Sequence, residues 1–302
     1  MKQNTKPLRV ALFGNAAFSA MSAIILIMFP DMVASHIGAT NHMLLMAIGI
    51  GLGVFSLDLF HQASRQRMQT WRALYASLGD ATWVLGTVIL LIWFPNLVSE
   101  KGSAILIFIA LIVALFGALQ LWGAGEAHRL KGTKLYRHCV AVTVPQSVDM
   151  MWEAVSDLAG ISKYFPALRS STIRGDVEPQ VGAIRQCEDH SGKRWAEKCT
   201  KFEIGKRIEL EFLCNEEGFP YPASEMIGGW SLLKHRNGST QVHIWWHLKP
   251  KPNFMAPLIL PLLGLKADID FPPLVFRMAG CESHQKIAQS TLGRLILPAH
   301  SC

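Results

Sequence analysis

The stretch AILIFIALIVALFGALQLWGAGEAHRLKGTKLYRHCVAVTVP, residues Ala104–Pro145, changes solvent halfway along its length. Ala104–Trp122 is apolar except for Gln120, and is long enough for a helix to cross a hydrocarbon core of roughly 30 Å. Arg129, Lys131, Lys134 and Arg137 follow within a few residues. The chain then alternates Val140, Val142 and Val144 up to Pro145, the two-residue period of a strand. One chain therefore serves two environments.

Upstream lie three further apolar runs, Val10–Phe29, Met43–Phe60 and Leu74–Phe94. All four runs are about 18–21 residues long and lack the alternation of barrel strands, so they read as membrane helices. Basic residues set the orientation. Lys2, Lys6 and Arg9 precede the first run, and Arg65, Arg67 and Arg72 separate the second from the third. The other two loops hold Asp31 with two histidines, and Glu100 with Lys101. The positive-inside rule puts both termini in the cytoplasm and makes the chain a multi-pass protein of bacterial inner-membrane type. A cleaved signal peptide fits the first run less well, because the run exceeds the usual ~7–15-residue apolar core. The net charge of +7 then reads as topology and attraction to anionic lipid, not nucleic-acid binding.

One polar residue interrupts each run: Asn15, Asp58, Asp80 and Gln120. All four fall within roughly 10 Å of the cytoplasmic surface at a rise of about 1.5 Å per residue. Polar groups in spans face a bundle interior or watery cavity, so the four are expected to form a polar pocket, or Asp58 to pair with Arg65 or Arg72. Gly49-Ile-Gly51-Leu-Gly53 lacks a preceding strand and is not a dinucleotide loop; Gly49 and Gly53 instead permit close helix packing. Trp71, Trp93 and Trp122 lie where interfacial anchors belong. Nothing points to a cofactor. All six cysteines follow the runs, in a compartment expected to keep them reduced, with no C-x-x-C pair. His243 and His247 share a strand face, but two histidines do not make a metal site.

The resulting plan is a four-transmembrane-helix domain over residues 1–125, a linker over 126–135 and an α+β domain over 136–302. The connector Gly123–Lys134 spans only ~40 Å even when extended, which keeps the second domain near the headgroups. Its pattern is a strand at Tyr136–Val144, a helix at Ser147–Leu158, a short helix at Ile161–Leu168 and six more strands between Arg169 and Lys249. Pro272–Arg294 is expected to begin irregularly and end as a helix packing through Cys281, Ile287, Ala288, Thr291 and Leu292. On the strands, Ile208, Leu210 and Phe212, and Val242, Ile244, Trp246 and Leu248, should face that helix.

From Tyr136 to Arg294 the chain resembles the START-like, helix-grip superfamily, in its polyketide cyclase/dehydrase and lipid-transport branch. The residues carrying the likeness are Val144-Pro145-Gln146-Ser147-Val148, Met151–Asp157, Tyr164-Phe165-Pro166, Val181-Gly182-Ala183 and Gly238–Val242. Gly79–Gly86 is loosely similar to small four-helix bacterial membrane proteins of unknown role. The superfamily resemblance implies a curved antiparallel sheet around a long C-terminal helix, with a cavity for a lipid, quinone or polyketide-like molecule. It implies no universal catalytic residue. Trp152, Phe165, Phe212, Trp230 and Trp246 are expected to line the cavity. Phe254, Leu258, Leu262 and Phe271 are expected at a mouth where the proline-broken segment Asn253–Leu265 dips into the interface.

The expected function is capture of a hydrophobic ligand at the inner membrane surface. The alternatives are a cyclase, aromatase or dehydratase, or a non-catalytic scaffold or sensor. Glu197, His190, Asp149 and Arg185 are the polar residues available to an enzyme, and each reads as a solvated surface group.

Overall fold

The computed structural model describes residues 4–38, 40–66, 68–175 and 177–281. The chain divides into two compact units, one over Gln3–Ala127 and the other beginning at His128.

The first unit is helical. The long helices α1 (Lys6–Met28), α3 (His42–Ser64), α4 (Trp71–Trp93) and α5 (Glu100–His128) are each long and apolar enough to span a membrane. A short α2 (Pro30–Ile37), not expected from the sequence, fills the first loop. The helices overrun the apolar runs at several ends because polar terminal turns still satisfy their backbone bonds in water. Small residues dominate the packed interior: Ala16, Ala63, Ala73, Ala76 and Ala124 surround Leu8, Leu12 and Leu59. Small side chains let helices approach closely and associate through van der Waals contact. Gly49 shows the need directly. A methyl group there would lie 2.9 Å from Ile27 Cγ1 and 3.0 Å from Leu26 Cβ on α1. Trp71 and Trp93 form the two ends of α4.

The second unit is a seven-stranded antiparallel sheet. Its strands are β1 (Tyr136–Val144), β2 (Leu168–Ile173), β3 (Ile184–Asp189), β4 (Arg194–Glu203), β5 (Arg207–Phe212), β6 (Ala223–Lys234) and β7 (Thr240–Pro250). Their order is β1-β7-β6-β5-β4-β3-β2. The chain crosses from one sheet edge to the other through α6 (Val148–Ser156) and α7 (Ile161–Tyr164). α6 begins where the Ser147 hydroxyl accepts the Met150 N–H, a serine cap before an apolar face. After β7 comes α8 (Ala256–Met278). The inward faces of β1, β5 and β7 pack Val140, Val142, Ile208, Leu210, Val242 and Ile244 into one core with Leu274 and Val275 of α8. This is a helix-grip arrangement.

The gripping helix differs in position from the one expected at Pro272–Arg294. Pro272 and Pro273 lie inside α8, which begins sixteen residues earlier, at Ala256, and absorbs most of the segment expected to be a proline-broken lid. Pro257 sits in the first turn, where a missing N–H costs nothing. Pro261 removes one interior bond, but Leu260, Gly264, Ala267 and Leu274 are buried along the same helix, and that burial holds it together. Ile287, Ala288, Thr291 and Leu292 lie outside the described residues. Cys187, Cys199, Cys214 and Cys281 are free thiols.

Candidate functional site

Between the sheet and α8 lies a partly open cavity of about 170 Å³. Two adjacent glycines of β6 shape the sheet here, and the first leaves this space unfilled. Gly228 and Gly229 stand in register opposite Trp246 and Trp245 of β7. A methyl at Gly228 would meet Trp246 Cδ1 at 3.0 Å, and one at Gly229 would meet Trp245 Cζ2 at 2.5 Å on the other face. The paired glycines let two successive tryptophans lie across the sheet, one on each side. On the outer face, the Arg207 guanidinium lies 5.1 Å from the Trp245 ring centroid.

One end of the cavity is aromatic. Phe271 of α8 lies 4.7 Å from Trp246, 5.4 Å from Phe165 and 6.3 Å from Trp230, between ring centroids. Phe212, Tyr221 and Trp195 form a second cluster, with Tyr221 at 6.2 Å from Phe212 and 5.4 Å from Trp195. All seven rings line the space. Trp152 does not; it packs against Phe202 at 5.3 Å. Phe254, Leu258 and Leu262 are also absent from the lining, and form an exposed stripe on the first turns of α8 and just before it, at 82%, 41% and 55% exposure.

A charged pair is set into this apolar wall. Arg185 and Glu197 occupy opposed positions on β3 and β4. The Arg185 Nε donates to Glu197 Oε2 at 3.1 Å, and Nη2 donates to the same oxygen. The Trp195 indole N–H donates to Glu197 Oε1 at 2.7 Å. The side chains of the pair are only 9% and 4% exposed, so neither is the solvated surface group expected from the sequence. Burial drives the guanidinium pKa down, but the adjacent carboxylate more than restores it, and the group stays charged. Burial also raises the Cys187 thiol to about 11, so this lining cysteine is a protonated, inert thiol. Burial and then the Glu197 charge raise the Tyr221 hydroxyl, which stays protonated. Neither Arg185 Nη1 nor the Tyr221 hydroxyl has a hydrogen-bond partner among the described residues.

His138 of β1 lines the cavity, and its Nε2–H donates to Asp268 Oδ1 of α8 at 2.9 Å. Its Nδ1 is buried without a partner. Lys266 and Asp270, which also line the cavity, bond to each other at 2.6 Å. His190 and Asp149 are exposed and lie elsewhere, with His190 Nε2 at 3.0 Å from the Pro166 carbonyl. Sequence reasoning missed His138, Asp268 and Tyr221. The signal for His138 was present, since it extends the inward alternation of Val140, Val142 and Val144 by one step.

In the helical unit, three of the four polar residues that interrupt the apolar runs meet. Asn15 Nδ2 donates to both Asp80 oxygens at 3.0 Å, and Gln120 Nε2 donates to Asp80 Oδ2 at 2.9 Å. Ser19 adds a bond to Asn15 Oδ1 at 3.2 Å. Asp58 takes other partners, Gln62 Nε2 at 2.5 Å and Arg72 Nη1 at 4.0 Å.

No family model matches the chain, and no curated protein matches it. Solved structures similar to its second half include the Zhui aromatase/cyclase from Streptomyces sp. R1128, at 15% identity over 49% of this chain and 96% of that one, with a TM-score of 0.41. Norcoclaurine synthase from Thalictrum flavum, in complex with dopamine and hydroxybenzaldehyde, is 16% identical over 50% of this chain and 91% of that one, with a TM-score of 0.40. Ara h 8.0201 is 14% identical over 48% of this chain and 99% of that one, with a TM-score of 0.39. At such values the chemistry of the cavity has to be read from its own side chains.

Proposed function

We propose that the chain is a membrane-tethered binding protein whose helix-grip domain takes a hydrophobic small molecule or lipid from the inner leaflet. The observation that supports this most is the aromatic cavity itself, kept open by Gly228. A void of about 150 Å³ lined by apolar groups stays dry and accepts benzene, so a cavity of about 170 Å³ suits one ring or a short chain. A whole two-tailed lipid is too large, and a tailed molecule would leave its tail in the mouth. Burial of apolar surface drives entry, at roughly 0.8 kcal/mol per methylene removed from water. A ligand arriving from a bilayer gains little, which keeps exchange reversible.

Tethering supplies concentration. Only residues 129–135 separate α5 from β1, a reach of roughly 25 Å. Phe254, Leu258 and Leu262 would rest in the interface, since such a stripe is costly in water. On this reading Phe165, Phe212, Trp230, Trp246 and Phe271 touch the ligand, and both termini are cytoplasmic. Native mass spectrometry of full-length protein released from nanodiscs tests it. One hydrophobic adduct per chain, lost in the cavity-filling variant Ala267→Phe, is expected. Bare protein in every preparation would refute the reading.

Catalysis on a hydrophobic substrate is the second reading, favoured by one observation: a cavity-lining histidine backed by Asp268, with its other nitrogen buried and unpartnered. His138, braced by Asp268, would then exchange a proton with the bound molecule. Chemical change in the bound molecule, abolished by His138→Gln, would distinguish it from simple binding.

A further inference from the structure

Among the polar groups of the cavity lining, the Arg185–Glu197 pair and Tyr221 have spare donors. Arg185 spends Nε and Nη2 on Glu197, which leaves Nη1 without a protein partner among the described residues. The Tyr221 hydroxyl is likewise unpartnered there, and both side chains line the same space. Neither donor is sealed off from the open space, so each can give its hydrogen to an acceptor that enters, a bond worth about 0.5–1.5 kcal/mol net. Glu197 cancels the guanidinium charge at contact distance, and its own oxygens already receive three N–H groups. An incoming anion would shed its hydration for a site of no net charge, and would face the carboxylate. An incoming amine would find no free acceptor at this point, because both Glu197 oxygens are already bonded. An uncharged oxygen acceptor avoids both penalties.

We infer that the ligand is a neutral, ring-sized apolar molecule carrying a carbonyl-type oxygen, which accepts from Arg185 Nη1 and the Tyr221 hydroxyl while its ring occupies the aromatic lining. This rests on the cavity being a ligand site. It goes further by excluding plain hydrocarbons, fatty-acid anions and cationic amines from tight binding. The Trp195 indole fixes the Glu197 carboxylate, which in turn holds the guanidinium, so the donor is set before the ligand arrives and the entropy cost of ordering it on binding is small.

The test compares three probes of similar size: ethylbenzene, acetophenone and benzoate. Saturation-transfer NMR on full-length protein in nanodiscs reports affinity, and signal persisting in Ala267→Phe is subtracted as lipid partitioning. Acetophenone should bind about tenfold tighter than ethylbenzene and than benzoate. Tyr221→Phe should lose part of that preference. The charge-balanced double variant Arg185→Leu/Glu197→Leu, which leaves no unpaired buried charge, should lose the rest while still binding ethylbenzene. Equal affinity for acetophenone and ethylbenzene, or a preference for benzoate, overturns the inference and leaves hydrophobic binding intact. Failure of all three probes to give any signal beyond Ala267→Phe overturns the binding reading itself.

Discussion

Glu197 illustrates how much a single buried charge commits the fold. Its carboxylate accepts from Arg185 and Trp195 in a wall made mostly of apolar side chains. Glu197→Ala strands the guanidinium in that wall and should cost about 3–5 kcal/mol, whereas replacing both partners by leucine should cost far less. Thermal denaturation of the full-length protein would register the difference, and equal losses for the two variants would contradict it. The outer face of the sheet carries a pH response. Burial, and then the Arg137 charge, lower the pKa of His243 and of His247. The folded unit therefore binds fewer protons than the unfolded chain below the unfolded value of about 6.5, so stability falls as pH drops from there through the lowered folded values. The slope should flatten in His243→Gln/His247→Gln, and an unchanged slope would remove these two side chains from the cause. The inward residues of β5 and β7 were legible from their two-residue period. Arg185 with Glu197 was not, because twelve residues separate them and only the β3–β4 register brings them together.

At the scale of elements, α8 shows where local rules mislead. Four prolines made the segment read as broken, yet one sits in the permitted first turn and the remaining three lie within a helix whose buried side chains hold it against the sheet. Propensity is a weak prior once an element has a face to bury. The exposed stripe of Phe254, Leu258 and Leu262 lies on and just before the opening turns of this helix. A photo-crosslinking residue at Leu262 should capture lipid when the full-length protein is irradiated in nanodiscs. Adducts to protein alone would place the stripe against a protein surface instead. The strands and the crossing helices were legible because turn residues and alternation agree along most of Tyr136–Lys249. The position of the gripping helix was not, because its cost and its reward lie far apart in sequence.

For the molecule as a whole, the four apolar helices announce themselves by length and composition, and sequence alone was enough to find them. Which of the polar residues in the apolar runs meet was only half legible. Depth along each helix placed Asn15, Asp58, Asp80 and Gln120 at one level, but helix rotation decides contact, and it separates Asp58 from the other three. The bond set on Asp80 joins α1, α4 and α5, so Asp80→Ala should weaken the bundle by about 1 kcal/mol. If the bundle serves only as an anchor, ligand occupancy in the cavity should survive that change. Loss of ligand without loss of folding would show instead that the helices take part in binding. A structure of the full-length protein, purified with native lipid and crystallised from a lipidic phase, bears most directly on whether the second half is built to hold a hydrophobic guest. Non-protein density should fill the space between Arg185 and Phe271. Side chains of Phe271 and Trp246 turned inward to close that space, with no density left over, would contradict it.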